Sequence, residues 1–195
     1  MPAESAAAVV WTREYVLDLM ERSPTHWPRY ELVDGALIVT PAPAPRHQVM
    51  QGELFIRLKA YADRHDLGHV MLAPADISLD PPRKSLLQPD VFVVPAGGIW
   101  PPKVWRDVAS LRLAVEVLSP STRRYDRGVK REYYLRHGVP EVWLVNLDKR
   151  LIERWRPGGA LPELLRDVAT WAPEPSLPPL RIELPALFDE ALGTG

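Results

Sequence analysis

The stretch from 111 to 138 constrains the fold most, because it joins a buried strand to a helix and sets a carboxylate between them. Apolar residues at 111, 113, 115 and 117 alternate with residues 112, 114, 116 and 118, which is the period of a strand. Residues 119–122 break this strand and offer hydroxyl groups for a helix N-cap, residues 124–136 have a helical composition, and Gly138 is a stop signal. The pattern predicts a strand followed directly by a helix, with Glu116 on the strand.

A buried ionised carboxylate is costly unless a cation or hydrogen bonds compensate it, so Glu116 needs a partner. If the helix folds back along its strand, Lys130 lies about 12 Å along the helix from Thr122. Glu116 lies about 7 to 10 Å below the same end of the strand, so the two side chains are at similar heights. Asp126 precedes Lys130 by one helical turn and is expected to hold its ammonium group in place. The alternative is a solvated basic helix with one ordinary ion pair.

The choice of lysine at position 130 is itself informative. The chain has five lysines and nineteen arginines, and Lys130 stands among arginines. Lysine, unlike arginine, can change its protonation state at a buried site, which suits a chemical role.

Composition limits the class of protein. The length of 195 residues is typical of a single domain, which we expect over residues 12–195, after a flexible tail at 1–11 and with a proline-rich segment from about 157. A formal net charge of -1 gives no global attraction to nucleic acid or membrane, and the absence of cysteine excludes disulfides and thiolate metal sites. The N-terminus lacks the pattern of a signal peptide, and no membrane span is expected, so the sequence favours a cytoplasmic protein.

The remaining elements are expected to surround the strand and helix unit. They are a helix at 12–22, a hairpin at 30–40 turning at Asp34-Gly35, a helix at 47–64 ended by Gly68, strands at 69–79 and 88–94, a hairpin at 140–156, and an apolar segment at 180–188 that packs back onto the body. Asp90 stands at the entry of the strand at 88–94, which is so apolar that it must be central.

Several common kinds of site are disfavoured. The chain has no phosphate-binding glycine loop, no G-x-S-x-G motif and no C-x-x-C pair. His65 and His69 have the spacing of helical metal ligands, but Gly68 interrupts the helix that would align them, so a zinc site is disfavoured.

Two carboxylates at neighbouring strand ends, Asp90 and Glu116, with Lys130 on the next helix, make an oxygen-rich site. Such a site suits Mg²⁺ or Mn²⁺, which would hold waters and substrate phosphate oxygens. The metal activates a water, and an ammonium group stabilises the developing charge, which is the chemistry of phosphodiester hydrolysis.

Four motifs now carry a resemblance to a known family. Q-P-D at 88–90, V-E-V-L-S-P-S-T at 115–122, D-R-G-V-K at 126–130 and G-V-P-E-V-W at 138–143 closely resemble the Uma-two-type family of restriction endonucleases, within the PD-(D/E)XK nuclease superfamily. Y-E-L-V-D-G at 30–35 and A-P-A-D at 73–76 are similar too, and the resemblance runs from about residue 12 to 155. It implies an α/β (α+β) fold, restriction-endonuclease-like, in which helices flank a mixed central β-sheet, with an N-terminal hairpin.

The resemblance also assigns roles. It implies Asp90 and Glu116 as ligands of Mg²⁺ or Mn²⁺ in a DNA endonuclease, and Glu31 as a further ligand or a water-positioning group. The superfamily lysine is expected two residues after the glutamate, where this chain has Leu118, and the resemblance suggests Lys130 as its migrated replacement.

Two functions stay open at this stage: a metal-dependent DNA endonuclease, and a catalytically inactive nucleic-acid-binding or protein-interaction module on the same fold. Basic residues beside the proposed site offer phosphate contacts, although a solvated helix face explains them equally well; they are Arg123, Arg124, Arg127 and Arg131. A homodimer, which would present two sites to two strands, is also expected.

Overall fold

The computed structural model describes residues 10–25, 27–80, 82 and 84–193. Its helices are α1 (Arg13–Arg22), α2 (Pro45–Arg64), α3 (Arg123–Tyr125), α4 (Arg131–Arg136) and α5 (Leu184–Leu192), with a π-helix at Asp126–Lys130 and a 3₁₀ turn at Trp105–Asp107. The expected flexible tail lies outside the described residues up to position 9. Of the expected tail, residues 10 and 11 are described, and Trp11 donates its backbone N–H to the carbonyl of Gly35 at 3.0 Å.

A six-stranded mixed sheet forms the centre. Its strands are β3 (Gly68–Leu72), β4 (Val91–Pro95), β5 (Leu113–Val117), β6 (Val142–Asn146), β7 (Leu151–Trp155) and β8 (Glu163–Leu165), in that spatial order. Only β5 and β6 pair in parallel, because the helical segment at 123–136 connects them as a crossover. Two antiparallel hairpins flank the sheet, β1 (Arg29–Val33) with β2 (Ala36–Thr40), and β9 (Val168–Trp171) with β10 (Leu180–Glu183). The predicted fold class, a mixed sheet flanked by helices with an N-terminal hairpin, is confirmed.

The two faces of the sheet carry two separate apolar clusters. Val115 and Val117 of β5 point to the face covered by α2, α5 and the β9–β10 hairpin. Ala114 and Leu118 point to the other face, covered by the 123–136 segment and the β1–β2 hairpin. Glu116 follows the same alternation, so it lies on the second face, as the sequence pattern predicted.

The helical segment at 123–136 is not the regular α-helix expected from its composition. Its middle is a π turn, in which residues Asp126 to Lys130 make one wider turn between α3 and α4. On a regular α-helix, side chains four residues apart point in directions that differ by roughly 40° around the helix axis. A wider turn reduces this difference. The π turn thus helps to keep Asp126, Lys130 and Tyr134 directed towards the same part of the sheet. Gly138, with φ of 81°, follows the end of α4 as predicted.

One strand boundary and the role of one glycine differ from the sequence prediction. The strand expected at 69–79 ends at Leu72, because proline at position 74 has no N–H to continue a ladder, and beyond it only Ile77 forms an isolated bridge. Helix α2 ends at Arg64, as predicted, but Gly68 is not its stop signal and instead begins β3. Gly68 has φ of 120°, and a Cβ there would lie 2.0 Å from the carbonyl oxygen of Val94.

The C-terminal part packs onto the body, as expected from its apolar residues. Leu184, Leu187 and Phe188 of α5 are buried in the same cluster as α2. The proline-rich segment from 157 also contains three strands that the sequence pattern did not predict. Among the described residues, no helix is both long and apolar enough to cross a membrane.

Tyr133 ties the helical segment to the loop that follows residue 79. Its hydroxyl group donates to Asp80 Oδ1 at 2.7 Å and accepts the backbone N–H groups of Leu79 and Asp80 at 2.8 and 3.0 Å. Burial opposes ionisation of Asp80, but hydrogen bonds from Tyr133 and Ser78 outweigh it and hold the pKa of Asp80 below its ordinary value of 3.8.

Tyr133→Phe is expected to lower the free energy of unfolding by about 1 to 3 kcal/mol at neutral pH, because two backbone N–H groups lose their acceptor. Since the pKa of Asp80 is lowered on folding, its contribution is present above its unfolded pKa and is lost as pH falls through the folded value. The difference between the wild type and the variant, measured by urea unfolding, should therefore shrink below about pH 4. A difference that stays constant with pH would contradict the role of Asp80, and Tyr15→Phe, at an exposed tyrosine, is the control.

Candidate active site

A cavity of about 160 Å³ opens on the second face of the sheet, where several acidic side chains meet one lysine. We call it the acidic cavity and define it by the carboxylates and the ammonium group at its centre: Glu31, Asp90, Glu116, Asp126 and Lys130. These residues come from the β1–β2 hairpin, the entry of β4, strand β5 and the π turn. The fold thus brings together the four residues that the sequence predicted as a site.

Lys130 lies at the centre of the acidic cavity, with a side chain only 3% exposed. Its Nζ is 2.8 Å from Glu116 Oε1, 2.9 Å from Glu31 Oε1 and 3.8 Å from Asp126 Oδ1. Burial alone would lower the pKa of Lys130, but the surrounding carboxylates outweigh it and raise that pKa well above its ordinary value. The lysine is thus held as a charged ammonium, and its predicted contact with Glu116 is present.

Glu116 has an environment that works against its ionisation. Burial raises its pKa well above the ordinary value; Lys130 opposes this, while the charges of Asp90, Asp126 and Glu31 add to it. The hydroxyl group of Tyr134 donates to Glu116 Oε1 at 2.7 Å, on the same oxygen that Lys130 contacts. Both donors therefore fix one carboxylate oxygen of Glu116.

Asp90 lies beside Glu116 across the β4–β5 ladder. Val91 pairs with Val115 in the antiparallel register. Asp90, one residue before Val91, therefore lies opposite Glu116, one residue after Val115. Asp90 Oδ2 accepts the backbone N–H of Val117 at 2.8 Å and lies 3.1 Å from His47 Nε2. Burial would raise the pKa of Asp90, but His47, Lys130 and the N–H of Val117 outweigh it and lower that pKa.

His47 is a site residue that the sequence reasoning missed. It lies in the first turn of α2, it is buried, and its Nε2 faces Asp90. Its only signal in the sequence is a histidine at the start of a long helix, after the proline-rich bend. Nothing local links that position to Asp90, which follows α2 and β3 in the chain.

Glu31 and Asp126 are also fixed by donors outside the cluster of charges. Glu31 Oε1 accepts the backbone N–H of Gln88 at 2.7 Å. Asp126 Oδ2 accepts the hydroxyl group of Thr122 at 2.7 Å, so Thr122 orients a carboxylate and makes no side-chain cap for the helix. Burial raises the pKa of Asp126, and Lys130 and Thr122 only partly offset this.

The four arginines expected to contact phosphates fall into two groups. Arg127 forms a two-pronged ion pair with Glu153, with Nη2 at 2.6 Å from Oε1, and Arg131 stacks on the ring of Trp155 at 4.1 Å. Arg123 and Arg124 are exposed at the start of the helical segment. Of the four arginines, these last two are the ones exposed to solvent.

The acidic cavity contains carboxylate oxygens, which are the ligand type that a hard divalent cation prefers. Four buried carboxylates face one buried ammonium, and Arg29 lies at the edge with Nη2 4.0 Å from Asp90 Oδ1. No group of three or more His, Cys, Asp or Glu in the described part of the chain is arranged to hold a metal by itself. Asp90 and Glu116 are the two carboxylates that could hold such a cation, and Mg²⁺ characteristically completes a set of this size with waters and substrate oxygens.

Comparison with known proteins gives two findings. The family model described as "Uma2: Putative restriction endonuclease" matches residues 16–186. The chain is also similar to the crystal structure of "a putative nuclease belonging to DUF820" from Anabaena variabilis ATCC 29413, with a TM-score of 0.71 and 20% identity, over 91% of this chain and 99% of that one. At this identity the structural likeness concerns the fold alone. No curated protein matches the chain.

Removing the buried ammonium group should destabilise the fold. Lys130→Met leaves Glu31 and Glu116 buried without their cation, and we expect a loss of about 3 to 5 kcal/mol in the free energy of unfolding. Adding Glu116→Gln to that variant removes a carboxyl group that would otherwise be buried as an unpaired charge or have to take up a proton, and it should restore part of the loss.

Urea unfolding of the single and double variants measures this coupling. Lys59→Met is the matched control, because the ammonium of Lys59 is 48% exposed and pairs with Asp63 on the surface of α2. It should cost less than about 1 kcal/mol. Equal losses for Lys130→Met and Lys59→Met would contradict the buried charge cluster.

Proposed function

The chain belongs to the Uma2 family of restriction-endonuclease-like proteins, and from this premise we propose that it is a metal-dependent endonuclease that hydrolyses phosphodiester bonds of DNA. In this proposal Asp90 and Glu116 are the ligands of Mg²⁺ or Mn²⁺, and Lys130 is the catalytic lysine of a PD-(D/E)XK-type site. Glu31 positions Lys130 or the attacking water.

The observation that carries the proposal is the position of the Lys130 ammonium, 2.8 Å from Glu116 Oε1 inside a cavity that also contains Asp90. The strand position two residues after Glu116 is occupied by Leu118, which is buried in the apolar cluster of the second face. A lysine that entered from the helix would thus supply the ammonium group that the strand lacks. This supports migration of the lysine from β5 to the π turn.

A bound divalent ion would supply an activated water and offset charge on the phosphate in the transition state. The chain's own residues then have separate roles. His47 and the N–H of Val117 orient Asp90, while Tyr134 holds one oxygen of Glu116 and leaves the other for a ligand. The ammonium of Lys130 remains charged and stabilises negative charge that develops beside Glu116.

The second candidate function is a catalytically inactive nucleic-acid-binding or interaction module. The observation that favours it is the short pairing of Lys130 Nζ with both Glu31 and Glu116, which satisfies the ammonium without any substrate. A metal ligand set of only two carboxylates is consistent with it as well.

Cleavage of supercoiled plasmid and of single-stranded DNA with Mg²⁺ or Mn²⁺ tests the first candidate. We expect metal-dependent nicking that falls by about 100-fold or more in Glu116→Gln and in Lys130→Arg, which keeps the positive charge but not the geometry of the lysine. Glu132→Gln is the control, since Glu132 is an exposed carboxylate on the same helical segment.

Each outcome separates the two functions. Loss in Glu116→Gln alone would keep the metal site and remove Lys130 from the mechanism. Absence of cleavage with either metal, or cleavage that survives Glu116→Gln, would favour the inactive module.

We further propose that Arg123 and Arg124 contact DNA phosphates. Replacing both with alanine should weaken binding of duplex DNA and reduce the slope of log K against log salt by about 2, since each lost phosphate contact removes roughly 0.9. Fluorescence anisotropy at several salt concentrations measures this slope. Arg166→Ala, at an exposed arginine after β8, should leave it unchanged.

A further inference from the structure

A second cavity, of about 370 Å³, lies directly beside the acidic cavity. We call it the aromatic cavity and define it by Trp27, Tyr30, Gln48 and Gln51. The two cavities share three lining residues, which are Arg29, Pro43 and Gln88. The two cavities therefore adjoin at Arg29, Pro43 and Gln88.

Arg29 stands at the junction with donor groups that are only weakly engaged. Its guanidinium carbon lies 4.8 Å from the centre of the Trp27 ring, and its Nη1 donates to Gln88 Oε1 at 3.4 Å. Its Nη2 is 4.0 Å from Asp90 Oδ1, and its Nε is buried without a hydrogen-bond partner in the described part of the chain. The side chain is 14% exposed. A largely buried arginine with unused donors can receive an anionic oxygen of a ligand.

The lining of the aromatic cavity matches a flat, partly polar group. Trp27 and Tyr30 are half-buried and offer aromatic rings, and Gln48 is exposed and offers both an amide donor and an amide acceptor. Gln51 is fixed by its own hydrogen bond to the carbonyl oxygen of Asp90 at 2.6 Å, which links the floor of this cavity to the site. A volume of this size lies within the range of roughly 300 to 1,000 Å³ that is usual for small-molecule sites.

We propose that the aromatic cavity binds an unpaired nucleobase next to the phosphate held in the acidic cavity, with Arg29 contacting the phosphate between them. This inference rests on the proposed function, because it takes the substrate to be DNA. The base stacks on Trp27, and Gln48 contacts its polar edge. The base is supplied by single-stranded DNA or by a nucleotide rotated out of a duplex.

Fluorescence anisotropy with the full chain tests this site in Ca²⁺, so that binding is measured apart from cleavage. The probes are a short labelled single-stranded oligonucleotide and the same oligonucleotide with abasic residues in its centre, which keep the sugar and phosphate. We expect the wild type to bind the intact probe about 10-fold or more tightly than the abasic probe. Trp27→Ala should abolish this preference, whereas Trp27→Phe should retain most of it.

Two further variants separate a binding role from a structural one. Trp100→Ala is the matched control, because Trp100 is also a tryptophan followed by proline but lines a different cavity and stacks on His69 at 3.7 Å. It should keep the preference for the intact probe. Gln48→Ala changes an exposed side chain, so it should fold normally and alter the relative affinities for probes of different base composition.

The proposal is overturned if the wild type binds both probes equally, or if Trp27→Ala keeps the preference for the intact probe. Its failure is distinguishable from that of the nuclease function. Cleavage that is lost in Glu116→Gln but unaffected by Trp27→Ala would keep the nuclease and remove the base site. A preference that depends on Trp27 in a protein that cleaves with neither metal would keep the base site. A duplex with one unpaired nucleotide, compared with a fully paired duplex, shows whether the base enters from double-stranded DNA.

Discussion

The structure depends on how one buried ammonium group, that of Lys130, compensates the carboxylates around it. Taking a charge out of water costs several kcal/mol, so such a cluster persists only where each charge has a partner at close range. Here Lys130 contacts Glu116 and Glu31 within 2.9 Å, and every other carboxylate has a further donor of its own. The packing of the hairpin, α2 and the 123–136 segment against one face of the sheet is what places these donors.

The sequence predicted the centre of this arrangement because its signals are local. The alternation of residues along β5 predicted which face of the sheet carries Glu116. The rise per residue of the following helix predicted that Lys130 lies at the same height, so the contact between the two side chains could be expected. The turn at Asp34-Gly35 likewise predicted the hairpin that carries Glu31. The catalytic roles of these residues remain predictions.

Other features depend on tertiary packing and left little trace in the sequence. His47 meets Asp90 only because α2 lies across the sheet, and the π turn replaces a regular helix where Lys130 must face the acidic cavity and Tyr134 must face Glu116. The strand expected at 69–79 was too long because the effect of one proline on a ladder outweighed a favourable apolar pattern. The strands after residue 157 are short and rich in neighbouring prolines, so their periodicity was too weak to recognise.

The hydrogen-bond donors of the acidic cavity come from several separate elements, and this affects how the protein unfolds. The carboxylates of the acidic cavity take their hydrogen bonds from α2, from the chain before β4, from β5 and from the helical segment, which are distant in sequence. If any one of these elements detaches, a buried carboxylate loses its hydrogen-bond donor. Local unfolding of one element therefore raises the free energy of a site formed by the others. The acidic cavity therefore couples the elements around it, and cooperativity of unfolding becomes a property of the site as much as of the apolar core.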